Sequence, residues 1–125
     1  MTRWRKILIG CAIAVLFVAG LFAVAGRYLT RDFREREAML RPLLATNAAL
    51  DVVVATAGHF TVTRRGTPLW DEMFSRYSSG SKWDRHIALK LEKAQAYGHT
   101  STIDMQTWIF LDERDRLVDF ELGTQ

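Results

Sequence analysis

Twenty consecutive residues without a charge, ILIGCAIAVLFVAGLFAVAG from Ile7 to Gly26, constrain this chain more than any other feature. At ~1.5 Å of rise per residue, a helix of that length covers ~30 Å, the thickness of a bilayer's hydrocarbon core. The run is apolar around its whole circumference, which a core helix of a small domain has no means to cover. The spacing therefore predicts a transmembrane helix over 7–26, flanked by Trp4, Arg5 and Lys6 on one side and by Arg27 and Tyr28 on the other. Amphipathic aromatics and long cations favour the two membrane interfaces, so these five residues read as interface anchors.

Two processing signals overlap this run. Ala23-Val24-Ala25 has the A-x-A form that signal peptidase cuts, after Ala25, but the apolar stretch is longer than the ~7–15 residues of a signal h-region. Leu8-Ile9-Gly10-Cys11 resembles a lipobox, yet most of the apolar stretch follows the cysteine where a lipoprotein signal has it before. A retained anchor is the reading adopted. Gly10/Ala14 and Ala19/Ala23 repeat the small-xxx-small spacing that lets membrane helices approach, so a homodimer through the membrane helix is open.

Sidedness draws on two opposed arguments. A count of Lys and Arg near the span, with Arg27, Arg31, Arg34, Arg36 and Arg41 behind it, would place the C-terminal part in the cytoplasm. The downstream arginines are interleaved with Asp32, Glu35 and Glu37, however, and a short basic N-terminus before an apolar run has the form of a signal anchor. The expectation is an N-terminus in the cytoplasm and a domain outside it, periplasmic if the cell is bacterial.

The anchor also explains the charge. The whole chain holds 17 basic and 14 acidic residues, with a pI near 9.4. Arg3, Arg5 and Lys6 precede the apolar run, and all acidic residues follow it. The remaining 99 residues thus carry 14 basic and 14 acidic groups, a formal balance of zero. A nucleic-acid partner would require a basic face, and this balance argues against one. The only cysteine, Cys11, lies within the span, so the rest of the chain forms no disulfide of its own.

The chain divides into a basic flank (1–6), the transmembrane helix (7–26), a charged juxtamembrane helix or stalk (27–45), and a small domain (46–125). In the stalk, Leu29, Phe33 and Leu40 are the sparse apolar positions, and Pro42 should end or kink it. Its arginines suit either solvent or anionic lipid headgroups. In the domain, Thr46 or Asn47 can cap a helix whose Leu50, Val53, Val54 and Ala57 share one face, with Gly58 as its stop. A short extended piece, His59 to Thr63, sets Phe60 and Val62 on one side. Thr67-Pro68 opens a second helix bearing the stripe Trp70, Met73, Phe74 and Tyr77.

Residues 82–98 fit two structures. Ser81 with Asp84 resembles a capping box and the composition suits a helix, whereas Ile87, Leu89 and Leu91 alternate as a strand would. The alternation, with the β-rich stretch that follows, tips the reading towards a strand. Ile103 to Leu111, the turn Asp112-Glu113-Arg114-Asp115, and Arg116 to Leu122 predict an antiparallel hairpin with one irregularity near Val118-Asp119. The expected fold is α+β: an N-terminal transmembrane helix, then two short helices and a two- or three-stranded antiparallel meander.

Candidate sites are few. His59, His86 and His99 lack the i, i+4 partners of a helical metal site, although Asp84 lies near His86 and Asp104 near His99. Turn chemistry accounts for Asp112, Glu113 and Asp115. The serines 78, 79 and 81 read as a linker. No phosphate loop, G-x-S-x-G, H-E-x-x-H or C-x-x-C motif occurs, so the expectation is no catalytic residue, no cofactor and no metal. Trp70, Phe74, Tyr77 and Trp83 suit a core, and where exposed they would form an interaction surface, because large aromatics anchor interfaces.

The Leu50/Val53/Gly58 helix, Trp83-Asp84 leading into Ile87-Leu89-Leu91, and Phe110-Leu111-Asp112 turning into Arg116-Leu117-Val118 together resemble the BamE-like small envelope domains. The resemblance runs from Asn47 to Leu122. It implies two helices on a three-stranded antiparallel sheet, and a role as an assembly module beside membrane machinery. It carries over no functional residue. The function expected is a membrane-anchored, non-enzymatic accessory domain whose partners are the bilayer and another membrane or envelope protein. The alternative is a tethered domain that senses a small ligand or lipid.

Overall fold

The computed structural model describes residues 2–80, 82–103 and 105–124, without the side chains of Tyr28, Leu29, Lys82 and Thr124. Ser81 of the proposed capping box and Asp104 beside His99 therefore lie outside the described residues, as does the side chain of the anchor Tyr28. The chain forms two compact units, Met1–Glu35 and Arg36–Gln125.

The first unit holds α1 (Thr2–Leu29) and the opening turn of α2 (Arg31–Ala45). Helix α1 is long and apolar enough to cross a membrane. Trp4 and Phe22 are 73% and 74% exposed, and Arg5, Lys6 and Arg27 are exposed as well. Between the two helices the Thr30 hydroxyl donates to the Gly26 carbonyl at 2.8 Å.

The second unit contains the rest of α2, then α3 (Leu50–Ala57), β1 (Thr61–Arg64), α4 (Pro68–Ser78), α5 (Lys82–Lys93), β2 (Ala96–Ser101), β3 (Met105–Leu111) and β4 (Leu117–Thr124). The strands make one antiparallel sheet in the order β1-β2-β3-β4. The mixed helix and antiparallel-sheet class agrees with the sequence. The count does not: among the described residues there are four strands in place of two or three, and three helices after α2 in place of two.

The excess has a clear origin. Ile87 and Leu91 stand four residues apart on one face of α5 and are 0% and 1% exposed, while Leu89 points away at 54%. The apparent strand alternation is thus a helix whose middle apolar residue faces solvent. With 82–93 helical, the strand opposite β3 is supplied by Ala96–Ser101, a stretch with little apolar signal. Gly98 belongs there because a Cβ would fall 2.7 Å from Ile109 Cγ1 and 2.9 Å from Phe60 Cβ.

Register then sorts the two sheet faces. Tyr97, Trp108 and Phe110 face α4 and α5, where they form a core with Trp70, Ile87, Leu91 and Ala94. Ile109, Leu111 and Leu117 point the other way and are fully buried, as are Leu40 of α2 and Val53 of α3. The α2–α3 side of the chain closes this second face. Asn47 Nδ2 donates to the Leu117 carbonyl at 2.7 Å, and Leu117 N–H donates to Ala48 O at 2.8 Å. Arg36 donates to the Ala57 carbonyl at the end of α3.

Pro42 does not stop α2, which runs on to Ala45. Proline removes a single intrahelical bond, and its would-be acceptor lies at Ala38, on the exposed side. Helix α3 starts at Leu50, with Ala49 at its N-cap and no side-chain cap, so neither Thr46 nor Asn47 caps it. Asn47 instead takes a left-handed conformation (φ 50°) and turns the chain onto β4. Gly58 ends α3 as expected, at φ 100° with its N–H on Val54 O. Thr67 caps α4 by accepting from Trp70 N–H at 3.3 Å, with Pro68 in the first turn.

Candidate functional site

The site begins at a bulge. Phe110 pairs with Asp119 and Leu111 with Leu117, so Val118 is one residue too many on β4. This is the irregularity visible near Val118-Asp119 in the sequence. A bulge turns two successive side chains to one side of a sheet, and such bends recur beside binding sites. Here Val118 and Asp119 both line a cleft that Phe110 floors.

The opposite wall is the last turn of α5, with Lys90, Lys93, Ala94 and Gln95. Asp112 and Glu113 of the β3–β4 turn close the far end, and the cleft holds about 460 Å³. Val118 remains 45% exposed, so one apolar wall faces solvent.

Two devices hold the walls apart at fixed geometry. At the end of α5, Arg65 donates from Nε and Nη2 to Ala94 O at 3.0 and 2.8 Å, and from Nη2 to Leu91 O at 3.3 Å and to the Glu92 carbonyl. Those carbonyls have no partner within the helix, and the helix dipole favours a cation there. The same guanidinium lies 5.2 Å from the centre of the Trp70 ring, a cation–π contact.

The second device is an ionic network between α5 and β4. Lys90 Nζ lies 2.8 Å from Asp119 Oδ2, pairs with the Glu121 carboxylate and donates to Phe120 O at 3.3 Å. His86 Nε2 also meets Glu121 Oε1. Lys90 and Glu121 are only 16% and 17% exposed, so this pair is screened less than a surface pair. Asp119 additionally accepts from Phe120 N–H at 2.8 Å. The outward-facing amide groups of Phe120, on the edge strand of the sheet, thus both find side-chain partners.

On the hairpin wall, Asp112 Oδ1 accepts from Arg114 N–H at 2.8 Å and Arg116 N–H at 3.0 Å. Asp115, left-handed at φ 55°, makes a two-bond pair with Arg64 at 2.8 and 2.8 Å. The Arg64 guanidinium pulls the Asp115 carboxyl below the usual carboxylate value.

The aromatics chosen from the sequence lie elsewhere. Trp70 is 5% exposed and belongs to the core, so it does not line a surface. Met73, Phe74, Tyr77 and Trp83 are partly buried against the same cluster. Tyr77 meets Trp108 edge-on at 4.9 Å, and Tyr97 lies 5.4 Å from Trp108 and 5.5 Å from Trp70. Trp83 packs where a Cβ on Gly123 would stand, 2.6 Å from its ring.

The three histidines part company. His59 is exposed after α3, and His86 joins the Lys90 network. His99 stacks on Trp108 with ring centres 4.1 Å apart. Its Nε2 and the Trp108 indole N–H are buried and unpartnered among the described residues, and burial holds the His99 pKa below 6.5.

The arrangement of the cleft suits binding. It offers fixed charges of both signs around an apolar floor, held by helix, bulge and turn. The sequence signal for it was the Val118-Asp119 irregularity together with Phe110. Lys93 and Gln95 carried no signal, because only the helical form of 82–93 brings them beside the hairpin, and Glu113 reads in the sequence as turn chemistry alone. Comparisons with family models, with curated proteins and with solved structures find no match for this chain.

Proposed function

We propose that this protein is a membrane-tethered binding domain that takes a small ligand in the cleft between α5 and the β3–β4 hairpin. The cleft is the observation that carries the reading. Its volume falls within the ~300–1,000 Å³ usual for small-molecule sites, and its apolar floor of Ala94, Phe110 and Val118 is ringed by polar and charged side chains that would orient a ligand. Helix α1 supports the tether, since an apolar helix of this length and exposure suits lipid or other apolar helices. This reading takes the ligand-sensing alternative over docking through the aromatics, because docking through the stripe would need Trp70 at the surface.

The accessory reading keeps one specific support, the partial exposure of Phe74, Tyr77 and Trp83. A single experiment separates the two. The full chain in lipid nanodiscs is screened by saturation-transfer NMR against a mixture of small cationic, anionic, zwitterionic and neutral compounds, alongside Val118→Trp, which fills the cleft from an exposed position. Binding by the native chain that Val118→Trp removes is the expected result. Binding equal in both chains, or no binding in either, would overturn the cleft as a ligand site.

A further inference from the structure

The charges that line the cleft are not equivalent. Lys90 is engaged by Asp119, Glu121 and the Phe120 carbonyl, and Asp119 by Lys90 and the Phe120 N–H. Asp112 is engaged by two backbone N–H groups of its own turn. What remains without a hydrogen-bond or ion-pair partner among the described residues is one cation, Lys93, one carboxylate, Glu113, and the Gln95 amide.

Those two free charges stand on different walls, Lys93 on the last turn of α5 and Glu113 on the β3–β4 turn. The same cleft is lined by the apolar Ala94, Phe110 and Val118. A polyanion would meet one free cation against the carboxylates of Asp112, Glu113 and Asp119. A dication would find one free carboxylate, Glu113, and meet the free cation Lys93. A molecule with one charge of each sign and an apolar body satisfies both walls and covers the floor, because each of its charges meets its opposite.

We infer that the cleft takes a small zwitterion with an apolar body, of the amino-acid or dipeptide class, with its ammonium on Glu113 and its carboxylate on Lys93. The Gln95 amide supplies a further donor and acceptor at the carboxylate end. This inference rests on the reading of the cleft as a binding site. It adds the charge type of the ligand.

The test uses the full chain in lipid nanodiscs with methyl-labelled Val and Ala, following the Val118 and Ala94 signals. Four probes are titrated: L-leucine, L-leucyl-L-leucine, N-acetyl-L-leucine (no ammonium) and L-leucinamide (no carboxylate). Leucine or the dipeptide should bind about 5-fold more tightly than either derivative, since each exposed pair contributes up to ~1 kcal/mol. The tighter of the two zwitterions identifies the class.

The variants cross the probes. Lys93→Gln should erase the preference for leucine over leucinamide and leave the preference over N-acetyl-leucine. Glu113→Gln should do the reverse. Equal affinity for all four probes, or a preference that neither substitution shifts, would overturn the zwitterion. If a singly charged derivative binds best and moves the Val118 signal, the zwitterion fails while the cleft stands. If nothing in the broader mixture binds, the cleft itself fails.

Discussion

At the scale of single residues, two titrating groups make the domain lose stability on acidification, each in its own pH window. Asp115 sits in a left-handed conformation that asparagine also tolerates, so Asp115→Asn removes charge with little backbone cost. Its folded pKa lies below the unfolded 3.8, which means its contribution is present above that value and fades as pH falls through the folded one. The expected outcome is a small loss at neutral pH, under about 1 kcal/mol for so exposed a pair, and a flatter acid branch below pH 3.8. Urea denaturation across pH, comparing D115N with the native chain, measures both.

His99 acts in a higher window. Because burial lowers its folded pKa below 6.5, the unfolded chain binds the proton more readily. Stability should therefore fall as pH drops from 6.5 towards the folded value. His99→Phe, which keeps the ring contact with Trp108, should remove that slope. An unchanged slope between pH 7 and 5 in the variant would show that the buried imidazole is not its source.

At the scale of elements, the helix α2 shows where the sequence could be read and where it could not. Leu40 has Leu43 and Leu44 at i+3 and i+4 and Phe33 at i−7, but the arginines and glutamates around them and Pro42 between them describe a solvated stalk. Yet Leu40 is fully buried, in the same unit as the sheet. Leu40→Ala should cost about 2–5 kcal/mol, whereas Met39→Ala, on the exposed side, should cost well under that. Equal losses in thermal denaturation would place Leu40 outside the core.

The hairpin, the caps of α4 and the end of α3 were legible because each rests on local chemistry: Thr67 before Pro68, Gly58 at positive φ, and a turn of Asp and Glu between alternating strands. Strand β2 was hidden because Gly98 and His99 earn their places only from what lies across the sheet. Helix α5 was misjudged because Leu89 imitates a period of two while Ile87 and Leu91 obey one of 3.6. The cleft depended on that helix, so it could not be seen before the helix was placed.

At the scale of the whole molecule, the proposed topology sets the N-terminus in the cytoplasm and the folded unit outside. A cysteine at the exposed Ser79, in a Cys11→Ser background, should react with a membrane-impermeant maleimide in intact cells. Protection until the cells are lysed would reverse the topology and return the weight to the arginines behind the span.

The capping of Phe120 bears on how copies of the chain would meet under the proposed membrane tether. Molecules confined to a surface meet one another in two dimensions, and an open strand edge on each would invite copies to zip together as they crowd. Lys90 and Asp119 occupy the amide groups of Phe120, one of the residues through which β4 would recruit a neighbour. The ion pair that shapes one wall of the cleft thereby also discourages edge-to-edge pairing at Phe120, and under the proposed membrane tether it would let copies crowd without their sheets fusing there.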